Sequence, residues 1–274
     1  MKQLLNALVF KTNKSKYFWV LLVVSASLPV VGALIINLLL VGMEWLMEFA
    51  GTPIDLSHLT QSALMNFSTS VTPASDVTLL SDIFVALFVT QEFSDGTIRN
   101  MFVANKSRKQ IFASTSIVCY VATCLFQLAD FAMRIVVFGL MFGFGNLTAG
   151  QVVTSLLVCF VSSLFVSVFV SACACYVAFA TRKTMQSVVV PMLVCFLLPE
   201  LLSTLVQIGV QTMPALGNVL SYEVLMWIPF GNSYLFDPTK PDFALVAILA
   251  LYHTLFGTIL FVLGYRKFAK ADLK

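Results

Sequence analysis

Charge is what this chain has least of. Of its 274 residues 59% are hydrophobic and only 11% charged, against about 25% charged in an ordinary soluble domain. That deficit excludes a soluble globular domain and describes a polytopic membrane protein. Histidine is also scarce. His58 and His253 are the only two, and neither has a partner at metal-ligand spacing. No Ser/His/Asp set can be assembled with one histidine in a loop and the other in an apolar run. The chain has no G-x-x-x-x-G-K-[ST] phosphate loop, so it has no visible means of using ATP alone, and no cofactor or nucleic-acid partner is expected. The six cysteines, Cys119, Cys124, Cys159, Cys173, Cys175 and Cys195, all lie in apolar runs, where a free thiol packs as a small hydrophobe. They form no disulfide framework. Cys173 and Cys175 point to different sides of a helix, which argues against a metal pair. The N-terminus does not read as a cleavable signal, because its apolar run is too long and lacks a nearby small-residue cleavage site.

What is abundant is long apolar sequence. A spanning helix takes about 20 such residues, and six runs qualify: Tyr17–Val41, Val77–Gln91, Ile111–Phe144, Gln151–Ala180, Gln186–Val210 and Phe243–Gly264. The second is short and contains Asp82; the fifth contains Pro191 and Pro199, which remove backbone donors and should kink it. Ahead of them, residues 1–16 combine Lys2, Lys11, Lys14 and Lys16 with Leu4, Leu5, Leu8 and Val9, the pattern of an amphipathic helix lying in the membrane surface. The loop 211–242 is aromatic and amphipathic, and is expected to form short helices or re-entrant pieces. The expected fold is therefore all-α, with one surface helix and six spans.

Orientation follows from lysine and arginine, which concentrate on the cytosolic side. If the N-terminus is cytosolic, the inner segments hold Lys2, Lys11, Lys14, Lys16, then Arg99, Lys106, Arg108, Lys109, then Arg182, Lys183, and finally Arg266, Lys267, Lys270, Lys274. The outer segments hold Lys240 alone. Both termini are thus expected in the cytosol of a plasma-membrane protein.

The stretch 91–111 is the one sizeable polar segment between two spans that also carries clustered positive charge. Ile98, Met101 and Phe102 fall at i, i+3, i+4, one face of a short helix, which offers an apolar face to a partner. Asp95 is a candidate N-cap for it, and Gly96 permits the bend out of the preceding span. Ser107 with Gln110 three positions on is a capping-box pattern that opens the next helix.

Three intramembrane charges stand out, since each costs about 2.5–3.5 kcal/mol on the insertion scale. Asp130 and Arg134 are four apart and can pair along one helix face, either as a self-neutralising pair that permits insertion or as part of a polar path. Glu200 follows Pro199 without a local partner; it either lines a polar cavity or subunit interface, or packs as a protonated residue.

The segment Glu92…Gly96-Thr97-Ile98-Arg99…Ser107-Arg108…Ile111, the basic surface helix before it, the aromatic last outer loop and the closing Tyr265-Arg266-Lys267-Phe268 together resemble the membrane subunits of ABC-2 type transporters, the type V exporter fold. The resemblance covers essentially the whole chain. It implies a permease without catalytic residues of its own, paired with a second copy or a paralogous permease in the lipid bilayer. It further implies two separate ATPase subunits that carry the ATP and Mg. Residues 1–16 then correspond to the elbow helix and residues 92–108 to the coupling segment. There Glu92, Gly96, Thr97, Ile98, Arg99, Met101, Phe102 and Arg108 would meet the ATPase. Relatives of this kind export amphiphilic peptides or drugs. The alternatives are a self-contained secondary transporter or channel using Asp130, Arg134 and Glu200, or a membrane-anchored sensor or assembly protein.

Overall fold

A computed structural model describes residues 1–50, 75–144, 147–198 and 236–271, with a few single positions between them. Among the described residues every element is helical: α1 Lys2–Lys14, α2 Lys16–Ala50, α3 Asp76–Ser94, α4 Thr97–Val103, α5 Arg108–Phe142, α6 Ala149–Thr181, α7 Thr184–Met192 continued by a π-helical segment Leu193–Leu197, and α8 Phe243–Lys270. Five of these, α2, α3, α5, α6 and α8, are long and apolar enough to cross a membrane. At the fifth expected span the described residues hold a shorter apolar stretch, Thr184–Leu197; most of that run's second half, and most of the loop 211–242, lie outside the described residues.

The amphipathic reading of the N-terminus gives α1. Leu4, Leu8 and Thr12 are its buried stripe, spaced i, i+4, i+8 as one helix face requires. Lys11 and Lys14 sit in its last turn, where the helix dipole favours cations. Ser15 adopts an extended conformation and ends it, and the Phe18 amide donates to the Ser15 hydroxyl at the start of α2.

Helix α3 is the central element. It is buried on every side, from Val77 to Glu92, and its mostly apolar surface, which includes Phe84, Phe88 and Val89, suits a helix inside a bundle. Ser75 caps it through the Thr78 amide. The capping box expected at the start of α5 is present, with Ser107 and Gln110 each bonding the other's backbone, and a second one, Thr148 with Gln151, opens α6.

Helices α6 and α8 approach most closely. A Cβ on Gly257 would lie 3.0 Å from Val168 Cγ1 and 3.2 Å from the Phe169 Cα. Small residues of this kind let two backbones meet, which is how helices pack where lipid supplies no hydrophobic drive. The π segment begins two residues after Pro191. The missing proline donor is a local cause for the widened turn, so the expected kink takes the form of a π-helical register change.

The main core gathers at the basic end, where α1, α2, α3, α4, α5, α6 and α8 meet. Phe112 contacts Phe179 with ring centroids 4.8 Å apart, and Phe179 contacts Phe268 at 4.9 Å. Ile98 of α4 and Leu4 and Leu8 of α1 belong to this same cluster.

Candidate functional site: a short helix at the basic end

Helix α4 stands between two left-handed residues. Gly96 has φ 68° and serves as its N-cap, a conformation that glycine adopts without Cβ strain and that ends the preceding helix. Asn105 beyond its C-terminus has φ 58°. Asp95, expected to cap α4, instead closes α3, its amide donating to the Gln91 carbonyl. The reason is geometric: one residue earlier the chain is still helical, and the left-handed Gly96 is where it reverses.

The apolar face of α4 also differs from the expectation that it is offered to a partner. Ile98 is 2% exposed, and Met101 and Phe102 lean on the same core. The face turned outward carries Arg99, Asn100 and Val103, with Val103 82% exposed. A seven-residue helix on a large core buries its apolar stripe against its own chain, because each such side chain gains about 1.5–3 kcal/mol there without the cost of association. Thr97 is half-buried in the first turn.

Two cations tie this hairpin to the rest of the bundle. Lys11 of α1 reaches down to the α3–α4 junction, with its ammonium 2.7 Å from Glu92 Oε1 and 3.5 Å from Asp95 Oδ2. The Glu92 side chain is fully buried, so it does not face a partner surface. Arg108, at the start of α5, donates through Nη1 to three carbonyls at the end of α8, those of Phe268, Ala269 and Ala271, at 3.2, 2.9 and 2.6 Å. The last carbonyls of a helix lack intrahelical donors, and the guanidinium supplies them. Arg108 also lies over the Phe102 ring, 5.6 Å from its centroid. The structure thus brings Glu92, Gly96, Thr97, Ile98, Arg99, Met101, Phe102 and Arg108 into one assembly, with Arg99 alone of the side chains turned fully outward.

The intramembrane candidates are not part of it. Arg134 Nε donates to Asp130 Oδ2 at 2.7 Å, with both residues buried in α5, so the i,i+4 pairing is realised. Glu200 lies on the helical stretch beyond the π segment and is exposed. Asp82, the charge within the short second apolar run, is 2% exposed in α3, close enough to Cys173 and Cys175 of α6 and Cys195 of the π segment to interact with them electrostatically. Among the described residues no group of His, Cys, Asp and Glu is placed to hold a metal ion.

Sequence reasoning missed the Lys11 contacts and the Arg108 contacts. Both join residues far apart in the chain, and local spacing carries no signal for either.

Comparison with known proteins adds one finding. The family described as ABC-2 family transporter protein matches residues 4–198, which takes in the surface helix, the α4 hairpin and the spans up to the π segment. No curated protein and no solved structure matches the chain. The matched segment is more than half of the 274 residues and includes the whole basic-end assembly, and the chain belongs to the ABC-2 family of transporter proteins.

Proposed function

We propose that this chain is the membrane-spanning subunit of an ATP-binding-cassette exporter. In this reading a separate pair of ATPase subunits, with their own ATP and Mg, drives it, and it works beside a second permease in the plasma membrane. Helix α1 is the elbow helix, α4 the coupling helix, and both termini are cytosolic. The cargo class that fits is an amphiphilic molecule such as an antimicrobial peptide or a drug.

The observation that carries this reading is the construction of α4. Its rear is fixed into the core by Ile98 and by the neighbouring Lys11 and Arg108 contacts, while Arg99, Asn100 and Val103 project from the basic end. A segment that transmits force needs both a fixed root and a free contact face. A partner that moves α4 moves the end of α3 and the start of α5 with it, since α4 is joined to α3 by two residues and to α5 by four. Transport then follows as a change in access to a cavity between the permeases, biased by the ATPase according to its differential affinity for the two states.

The test compares three substitutions at equal membrane abundance, reading retention of the co-purifying ATPase and its stimulation. Val103→Asp and Arg99→Glu alter the outward face and should lower ATPase retention while the protein remains folded. Ile98→Asp places a charge in the core and should lower the folded yield itself. Undiminished retention by both Val103→Asp and Arg99→Glu would remove α4 as the contact.

A further inference from the structure

Beside the α4 assembly, two cavities meet at Tyr17 and Gln91. One, of about 480 Å³, lies where the end of α3 faces the α6–α7 turn and includes Thr90, Arg182 and Thr184. The other, of about 470 Å³, lies at the α1–α2 junction and includes Lys11, Lys14 and Lys16. Both fall in the size range of small-ligand sites, about 300–1,000 Å³. The charges that line them are four cations, Lys11, Lys14, Lys16 and Arg182; the carboxylates nearest in the chain, Glu92 and Asp95, are each held by Lys11. Among the described residues, Lys14, Lys16 and Arg182 have no carboxylate within ion-pair distance.

Three further features belong to this place. Arg182 is a non-glycine residue at φ 56°, in the left-handed region, a strained conformation that is kept where the surroundings use it. That conformation sets its guanidinium 5.3 Å from the centroid of the Phe93 ring, at the wall of the first cavity. The next helix, α7, begins at Thr184 with no side-chain cap, so its first amides are available to an acceptor. Tyr17 lines both cavities, and its hydroxyl makes no hydrogen bond within the protein.

We infer that this trough, from Lys14 and Lys16 past Tyr17 to Arg182 and the start of α7, is a binding site for a phosphate group. A phosphate presents several acceptor oxygens and negative charge, and the trough presents cations, a free hydroxyl and helix amides without a bound acid. At the depth where the basic ends of the spans meet the membrane surface, phosphate occurs as phospholipid headgroups and as soluble phosphate. The inference does not depend on α4 meeting an ATPase.

The test uses the purified full-length complex, stripped of lipid in a neutral detergent. Dioleoylphosphatidylglycerol, dioleoylphosphatidylcholine or inorganic phosphate is added back at matched ionic strength. Bound lipid is counted by native mass spectrometry and stabilisation is read from the thermal midpoint. The variants are Arg182→Gln, Lys14→Gln and Tyr17→Phe, with Lys267→Gln on α8, outside the trough, as control. Retention of phosphatidylglycerol over phosphatidylcholine is expected, weakened about fivefold by each lost cation, weakened also by Tyr17→Phe and unchanged by Lys267→Gln. Stabilisation by inorganic phosphate that Arg182→Gln abolishes, with no preference between the lipids, would place a soluble phosphate there. Equal binding of both lipids with no response to inorganic phosphate would overturn the site. So would a preference weakened as much by Lys267→Gln as by Arg182→Gln.

Discussion

Removing Lys11 should damage this protein more than removing the acid it pairs with. The ammonium lies 2.7 Å from Glu92 Oε1, and at an effective dielectric of about 20 two such charges attract by about 6 kcal/mol before desolvation is counted. Desolvation of the carboxylate takes back several kcal/mol, so the pair is worth far less than its attraction. The cost of breaking it depends on which partner goes. Lys11→Met leaves Glu92, whose side chain is 0% exposed, as a buried charge without its counter-ion, a change that costs about 3–5 kcal/mol. The Lys11 side chain is 33% exposed, so water can enter the vacated space, and the lower figure, about 3 kcal/mol, applies. Glu92→Gln keeps the shape and removes the charge, while Lys11 retains Asp95 and solvent; about 1 kcal/mol is expected. The double variant has neither charge and should resemble Glu92→Gln, which makes the coupling about 2–3 kcal/mol. The assay is reversible unfolding in mixed detergent micelles, followed by the fluorescence of Trp19. Its indole N–H donates to the Asn13 carbonyl at 2.8 Å and therefore reports α1 docking. Equal destabilisation by the two single changes, adding up in the double, would refute the reasoning.

Other outcomes follow from the same contacts. Arg108→Met removes the donor to three α8 carbonyls; it should cost about 2 kcal/mol and speed hydrogen exchange at residues 268–271, with Arg108→Lys recovering part of it. Gly257→Ala must push α6 from α8 and should lower stability by about 1–3 kcal/mol. Gly32→Ala, where nothing lies within 4 Å, should be neutral or stabilising by up to about 1 kcal/mol, as thermal midpoints will show. After replacement of the native cysteines, Lys240→Cys should react with an impermeant thiol reagent added to whole cells, and Asn105→Cys should react only after permeabilisation; the reverse pattern would invert the orientation.

Much of the fold was legible because it rests on local pattern. The buried stripe of α1, the Ser107–Gln110 box and the Asp130–Arg134 pair are each set by spacing within one helix. The limits appear where a residue has two possible neighbours. The i, i+3, i+4 set in α4 shows that Ile98, Met101 and Phe102 share a face, but periodicity is blind to what that face meets. Here it meets Phe112, Phe179 and Phe268 through the common core. Arg108 reads from sequence as one of the cytosolic-side cations and a contact for the ATPase, whereas its partners here are carbonyls from the far end of the chain. Lys11 and Glu92 each carry a clear local role, surface cation and loop acid, and only the packing of α1 on the bundle turns those roles into one contact. Gly257 is likewise silent until α6 lies against it.

The placement of α4 bears directly on how force can pass through this end of the molecule. Its two flanks are the left-handed Gly96 and Asn105, positions where a small change in backbone angle redirects the chain. Between them the helix is held at its rear by Ile98 in the core. Outside the flanks, Lys11 joins the end of α3 to α1, and Arg108 joins the start of α5 to the end of α8. A push on Arg99 or Val103 therefore cannot be absorbed by α4 sliding over the bundle, because that would expose Ile98. It is passed through the two flanks to four helices at once. Close-packed interiors move between discrete arrangements rather than deforming continuously, so the basic end responds as a unit. In the proposed coupling role, the polar links on either side of α4 would carry its motion to the spans.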